Sequence, residues 1–139
     1  MARNGYIDNM VKQYGEDWIV ALKPDDIQKA TKRIVKDMVR GNLDYEKNGK
    51  YFYDPKFLEN VIIAVDNELE ICSLHYNALV FYQLYFPQTP FINIHINNDL
   101  ILYTIYNTIY NKLLMFRQSG DLGIMVDIPS ILYQYRNLL

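Results

Sequence analysis

A chain of 139 residues with a formal charge of -2 and one cysteine can bury a core without disulfides or a structural metal. It is too nearly neutral to be drawn wholesale to nucleic acid or anionic lipid, an attraction that scales with the number of phosphates neutralised. A single helical domain over 1–139 is the expectation.

Cys72 has no internal partner, and no basic start leading into an apolar run marks a secretory signal, so the cytoplasm is the expected compartment. The most apolar segment, 71–86, contains His75, Asn77 and Gln83 and stops at Pro87, short of the ~20 apolar residues of a membrane span. No membrane partner is expected. Thirteen tyrosines and abundant Ile and Asn fit A/T-rich codons, consistent with a low-GC bacterium or its phage. Eleven of the fourteen Lys and Arg lie at or before Lys56, which leaves a mildly acidic, tyrosine-rich remainder.

In chain order, Tyr6 to Tyr14 reads as a short amphipathic helix with Tyr6, Ile7, Met10, Val11 and Tyr14 near one face and Gly15 as its stop. After an apolar link through Trp18 and Ile19, Pro24-Asp25-Asp26 opens a second helix. Proline suits the first turn and the acids suit the positive end of the dipole. It should run to Arg40, with Gly41 as a left-handed cap, and should bury Ile27, Ala30, Ile34 and Met38.

The Asn48-Gly49 pair, flanked by Tyr and Phe, predicts a small β-hairpin near 43–53, since both residues accept the positive φ of a type I′ turn. Asp54-Pro55 then starts a long central helix reaching Phe86, with a kink or break expected near Ser73. Glu59, Asp66, Glu70, Ser73 and Asn77 form its polar stripe; Leu58, Val61, Ile62, Val65, Leu69, Cys72, Leu79 and Phe86 occupy other sides.

Ile92, Ile94 and Ile96 alternate with Asn93, His95 and Asn97, which predicts a short extended segment near 91–96. Asn97 or Asn98 caps a helix from Asp99 to about Gln118, stopped by Ser119-Gly120, and Asp127 or Pro129 opens a last short one. The fold class is thus mainly α, a compact bundle of about four to five helices.

Within the helix after Asp99 the tetrad TIYN occurs twice in succession. Because four residues nearly close a helical turn, the repeats make stripes: Ile101, Ile105, Ile109 and Leu113; Tyr106, Tyr110 and Leu114; Tyr103, Asn107 and Asn111. Together the apolar and aromatic stripes are wider than the ~100° arc that one core contact occupies. The surplus makes Tyr103, Tyr106 and Tyr110 candidates for a protein interface, against the alternative of boundary tyrosines with buried rings and wet hydroxyls.

Lys29, Lys32, Arg33, Lys36 and Arg40 gather on the outer side of the second helix. They are candidates for an acidic protein partner, for nucleic acid, or for the acidic stripe of a neighbouring copy in a head-to-tail ring, set against a plain solvated face.

Chemistry is poorly served. Cys72 and His75 share a helical face, but there is no second Cys/His pair to complete a zinc site, and an apolar setting would raise the thiol pKa. The "SGDLG" stretch from Ser119 lacks the glycines and lysine of a phosphate loop, and Glu68 points away from Asp66 and Glu70. No catalytic residue, metal or cofactor is assigned.

The expectation is a non-enzymatic structural or interaction module that self-associates or docks on a protein, in the manner of a virion connector or adaptor subunit if phage-encoded. The alternative is a small regulatory or anti-defence protein that binds nucleic acid, or a nucleic-acid enzyme, through the basic helix.

Overall fold

The computed structural model describes residues 5–16, 24–89, 92–126 and 128–137. Among them every regular element is helical and no strand occurs. Helix α1 spans Gly5–Tyr14, α2 Pro24–Arg40, α3 Tyr45–Asn48, α4 Pro55–Tyr85, α5 Ile92–Ser119, α6 Gly123–Val126 and α7 Ile128–Arg136, with a 3-10 turn at Gly49–Tyr53 between α3 and α4. Trp18 and Ile19, and the Asp127 start signal, lie outside the described residues.

Local signals set most ends. Gly15, Gly41 and Gly120 all take positive φ, the conformation that lets a chain leave a helix without a Cβ clash. At Gly41 the N–H donates to the Met38 carbonyl (3.0 Å) and the Asn42 N–H to that of Asp37 (2.9 Å), the paired bonds of a Schellman cap. Asp54 caps α4 through Oδ1, accepting from the N–H groups of Lys56 (3.0 Å) and Phe57 (3.4 Å), with Pro55 in the first turn. Helix α4 is continuous through Ser73, 31 residues or ~46 Å at ~1.5 Å per residue.

The hairpin expected near 43–53 does not form. Asn48 is right-handed (φ -106°, ψ -12°) and Gly49 is not among the positive-φ glycines, so the pair cannot make a type I′ turn. Asp44 instead nucleates α3, accepting from the Lys47 N–H at Oδ1 (3.3 Å) and from the Asn48 N–H at its carbonyl (2.9 Å). Helical spacing also delivers more apolar burial than a lone hairpin could. Phe52 is fully buried, with ring centroids 6.4 Å from Tyr45, 5.6 Å from Phe57 and 6.2 Å from Phe116. Tyr53 packs on Phe116 and donates its hydroxyl to the Gly120 carbonyl (2.9 Å), tying the turn to the end of α5.

The extended segment near 91–96 is likewise replaced, from Ile92 onward, by the first turns of α5. Burying Ile92 and half-burying Ile96, four residues apart, leaves Ile94 on the outer side. A strand there would need a ladder partner for its backbone, whereas a helix satisfies its own N–H and C=O groups. Phe91 lies outside the described residues.

One contiguous core joins Ile34, Val35 and Met38 of α2, Phe52, the first half of α4 (Phe57 to Val65), the second half of α5 (Ile105 to Phe116), and Met125, Ile128 and Leu132. Helices α4 and α5 pair most extensively, and α2 lies across α4.

Candidate protein-interaction surface

Beyond Cys72 no residue of α4 is buried, and on α5 only Ile92 and Asp99 are buried ahead of Ile105. The two helices therefore run past the core as a paired arm. Its inner contacts are thin: Tyr76, Leu79, Val80 and Gln83 are only half-buried, and the Gln83 amide donates to Asn93 Oδ1 (2.6 Å).

At the junction of core and arm, His75 Nδ1 lies 2.7 Å from Oδ2 of the buried Asp99, close enough to pair with it but outside hydrogen-bond geometry. Burial raises the Cys72 thiol above its ordinary range, and the Glu68 and Asp99 carboxylates push the same way. The same combination of burial and Glu68 raises the Tyr106 phenol, with Cys72 adding to it. These groups disfavour ionisation next to one another; nothing here activates a nucleophile. Among the described residues no three His, Cys, Asp or Glu side chains converge as a metal site would require.

The sequence-derived candidates fall in different settings. Tyr106 and Tyr110 are half-buried and pack against the core, whereas Tyr103 is 40% exposed and lines a cleft of about 240 Å³ with Ser73, Tyr76, Asn77, Asp99 and Leu100. Lys29, Lys32, Arg33, Lys36 and Arg40 are all exposed on α2. Of the acidic stripe, Glu59 already meets Arg117 of α5 at 3.5 Å, a half-exposed pair of small energetic weight.

The densest cluster of exposed aromatic rings among the described residues lies elsewhere, at the end of α4. Phe81 is 61% exposed, Leu84 74% and Tyr85 66%, with Tyr82 and Phe86 beside them. Phe81 stacks obliquely on Tyr85 (4.8 Å between centroids) and Tyr82 on Phe86 (4.7 Å), so the rings are held in place by i,i+4 contact before any partner arrives. Between them and Ala78 runs an open groove of about 470 Å³.

Back along α4, Leu74 (64% exposed) and Ile71 continue the apolar surface. From Ile71 to Asn111 the only formally charged side chain is Asp99, which is turned inward onto His75.

Sequence reasoning grouped Phe86 with the apolar sides of the central helix and did not single out Ile71, Leu74, Phe81 or Tyr85, so it missed this surface. The signal was present as a second seam, Ile71, Leu74, Ala78, Phe81 and Tyr85, spaced 3, 4, 3 and 4 residues apart. At ~100° per residue this seam lies about 200° around the axis from the buried positions Leu58, Val61, Val65, Leu69 and Cys72.

Among the described residues no helix is long and apolar enough to cross a membrane. Comparison of the chain with protein-family models, with curated proteins and with solved structures finds no match.

Proposed function

We propose that the protein is a non-enzymatic interaction module, in which a helical core carries a paired α4–α5 arm that docks on protein through its uncharged aromatic end. The observation that carries this reading is the contiguous exposure of Phe81, Tyr82, Leu84, Tyr85 and Phe86. The exposed portions of the four aromatic rings amount to roughly 450 Å² at ~200 Å² per side chain, the size of the largest apolar patch on a typical monomer, which is often a functional one. Tyr and Phe are the residue types that supply such contacts at low entropic cost. A connector or adaptor subunit of a virion is the kind of component this arrangement suits.

The five exposed cations of α2 support a second reading, a nucleic-acid or acidic-protein contact through that helix.

Photo-crosslinking separates the two. Benzoylphenylalanine placed at Leu84 is expected to give protein adducts in the producing cell, whether with another copy or a different chain, and the same probe at Lys32 is not. Adducts from Lys32 alone, or complexes that survive Phe81→Ser with Tyr85→Ser but dissociate on Lys32→Glu, Arg33→Glu and Lys36→Glu, would transfer the function to α2.

A further inference from the structure

We infer that the partner of the α4 seam is a second copy of this chain, packed antiparallel about a two-fold axis at Ala78. This rests on the reading of the arm as a protein-docking element and names its occupant. The 3-4-3-4 spacing of the seam is the pattern that keeps one helical stripe against a facing helix, and both ends of the seam are well exposed.

The sizes along the seam are self-complementary. Ile71 and Tyr85 stand seven residues either side of Ala78, so a two-fold axis sets each against the other. Leu74 falls against Phe81 and Tyr82 of the second copy. Ala78 meets Ala78, and the small pair lets the two backbones approach while the larger residues interlock on either side.

Charge selects both the occupant and the direction. With no outward formal charge from Ile71 to Asn111, the arm offers nothing for a phosphate or a charged partner to pair with, and two copies meet without repulsion. A parallel arrangement would bring the exposed Asp66 and Glu70 of each copy alongside their counterparts. The antiparallel one places that acidic end next to the uncharged tip of the other arm.

Area is sufficient as well. The four aromatic rings alone provide more than half of the ~800 Å² per partner of a standard interface, and Ile71, Leu74 and Leu84 add to it.

The test uses the purified full chain. Light scattering is expected to give twice 16.5 kDa, insensitive to salt, and Ala78→Arg should raise the dimer dissociation constant at least ~100-fold while circular dichroism stays unchanged, because the residue is exposed in the single copy. In a Cys72→Ala background, oxidation should link Ala78→Cys chains to one another and leave Ile71→Cys chains unlinked.

Self-linking at both positions would overturn the antiparallel geometry. A monomer at every concentration, with Leu84 adducts to a different chain in the cell, would overturn the second copy as occupant and keep the docking arm. A dimer indifferent to Ala78→Arg and to Phe81→Ser with Tyr85→Ser would overturn both.

Discussion

Phe52→Ala is the perturbation that most directly separates the core from the arm. Phe52 is fully buried and surrounded by the rings of Tyr45, Phe57 and Phe116, and truncating a buried Phe to Ala costs ~3–5 kcal/mol through lost transfer energy and the cavity left behind. At an unfolding entropy of ~2.1 cal/mol/K per residue, a chain of this length has about 0.3 kcal/mol/K, so the melting temperature should fall by roughly 10–17 °C. Thermal unfolding followed at 222 nm, at protein concentrations low enough to keep the chain monomeric, reads this directly. Phe81→Ala, on the exposed arm, serves as the comparison and should stay within about 0.5 kcal/mol of the parent. If Phe52→Ala leaves no folded population, Phe52→Leu, costing less than ~2 kcal/mol, keeps the measurement within range. A shift below about 3 °C for Phe52→Ala, or equal shifts for the two Ala variants, would refute the assignment of Gly49–Tyr53 as a core anchor.

Five other outcomes are expected. Asp54→Ala removes the acceptor for the Lys56 and Phe57 N–H groups and should cost about 1 kcal/mol in urea unfolding, with an unchanged m value. The Tyr45 hydroxyl is buried without a hydrogen-bond partner among the described residues, so Tyr45→Phe should leave the melting temperature equal or higher. Burial raises the Tyr45 phenol pKa, so the parent's stability should be insensitive to this group below pH ~10 and fall by up to about 1.4 kcal/mol per pH unit above it, a slope that Tyr45→Phe reduces. The Cys72 thiol, buried and raised in pKa, should be alkylated by iodoacetamide at pH 8 at least ~10-fold more slowly than in urea. Tyr106→Ser with Tyr110→Ser should lower stability by about 2 kcal/mol through lost core contact, with native mass by light scattering unchanged.

The elements readable in the sequence were those whose signals act within a few residues. Pro24-Asp25-Asp26 and Gly41 bracket α2, and Asp54-Pro55 opens α4, because an N-terminal proline, a capping carboxylate and a left-handed glycine each have one economical use. Asn48-Gly49 misled because the pair permits a type I′ turn without requiring one, and Phe52 gains more from the ring cluster than a two-stranded hairpin could give it. The period-two run from Ile92 to Ile96 carries no information about a pairing strand, and without one the helix takes the backbone. On the candidate surface, the surplus of apolar and aromatic area was legible in the tyrosine stripes of α5. Its concentration at Phe81 and Tyr85 was spelled as the 3-4-3-4 seam on the far side of α4, but an apolar seam reads the same whether a neighbouring helix covers it or solvent does, and only the tertiary packing shows that none of the described helices does.

Helix α4 has apolar residues on opposite sides, a pattern expected of a helix buried all round. Its core side is covered as far as Cys72, and its other side is not covered by any described residue along the seam. Left to apolar contact alone, such a helix could slide by a turn against α5, since Ile and Tyr recur along α5 at nearly the same spacing. Asp99 opposes that slide. Its carboxylate is buried at the junction 2.7 Å from His75 Nδ1, and a one-turn shift would leave that buried polar group without its partner. A single polar pair of little net stabilising value can in this way fix the register of the arm, and with it which residues of α4 face outward. His75→Ala should accordingly loosen the α4–α5 register, and faster amide exchange from Leu74 to Tyr85, with unchanged protection from Phe57 to Val65, is the pattern that follows. Uniform loss of protection in both stretches would mean that the pair serves the core as a whole and does not set the arm.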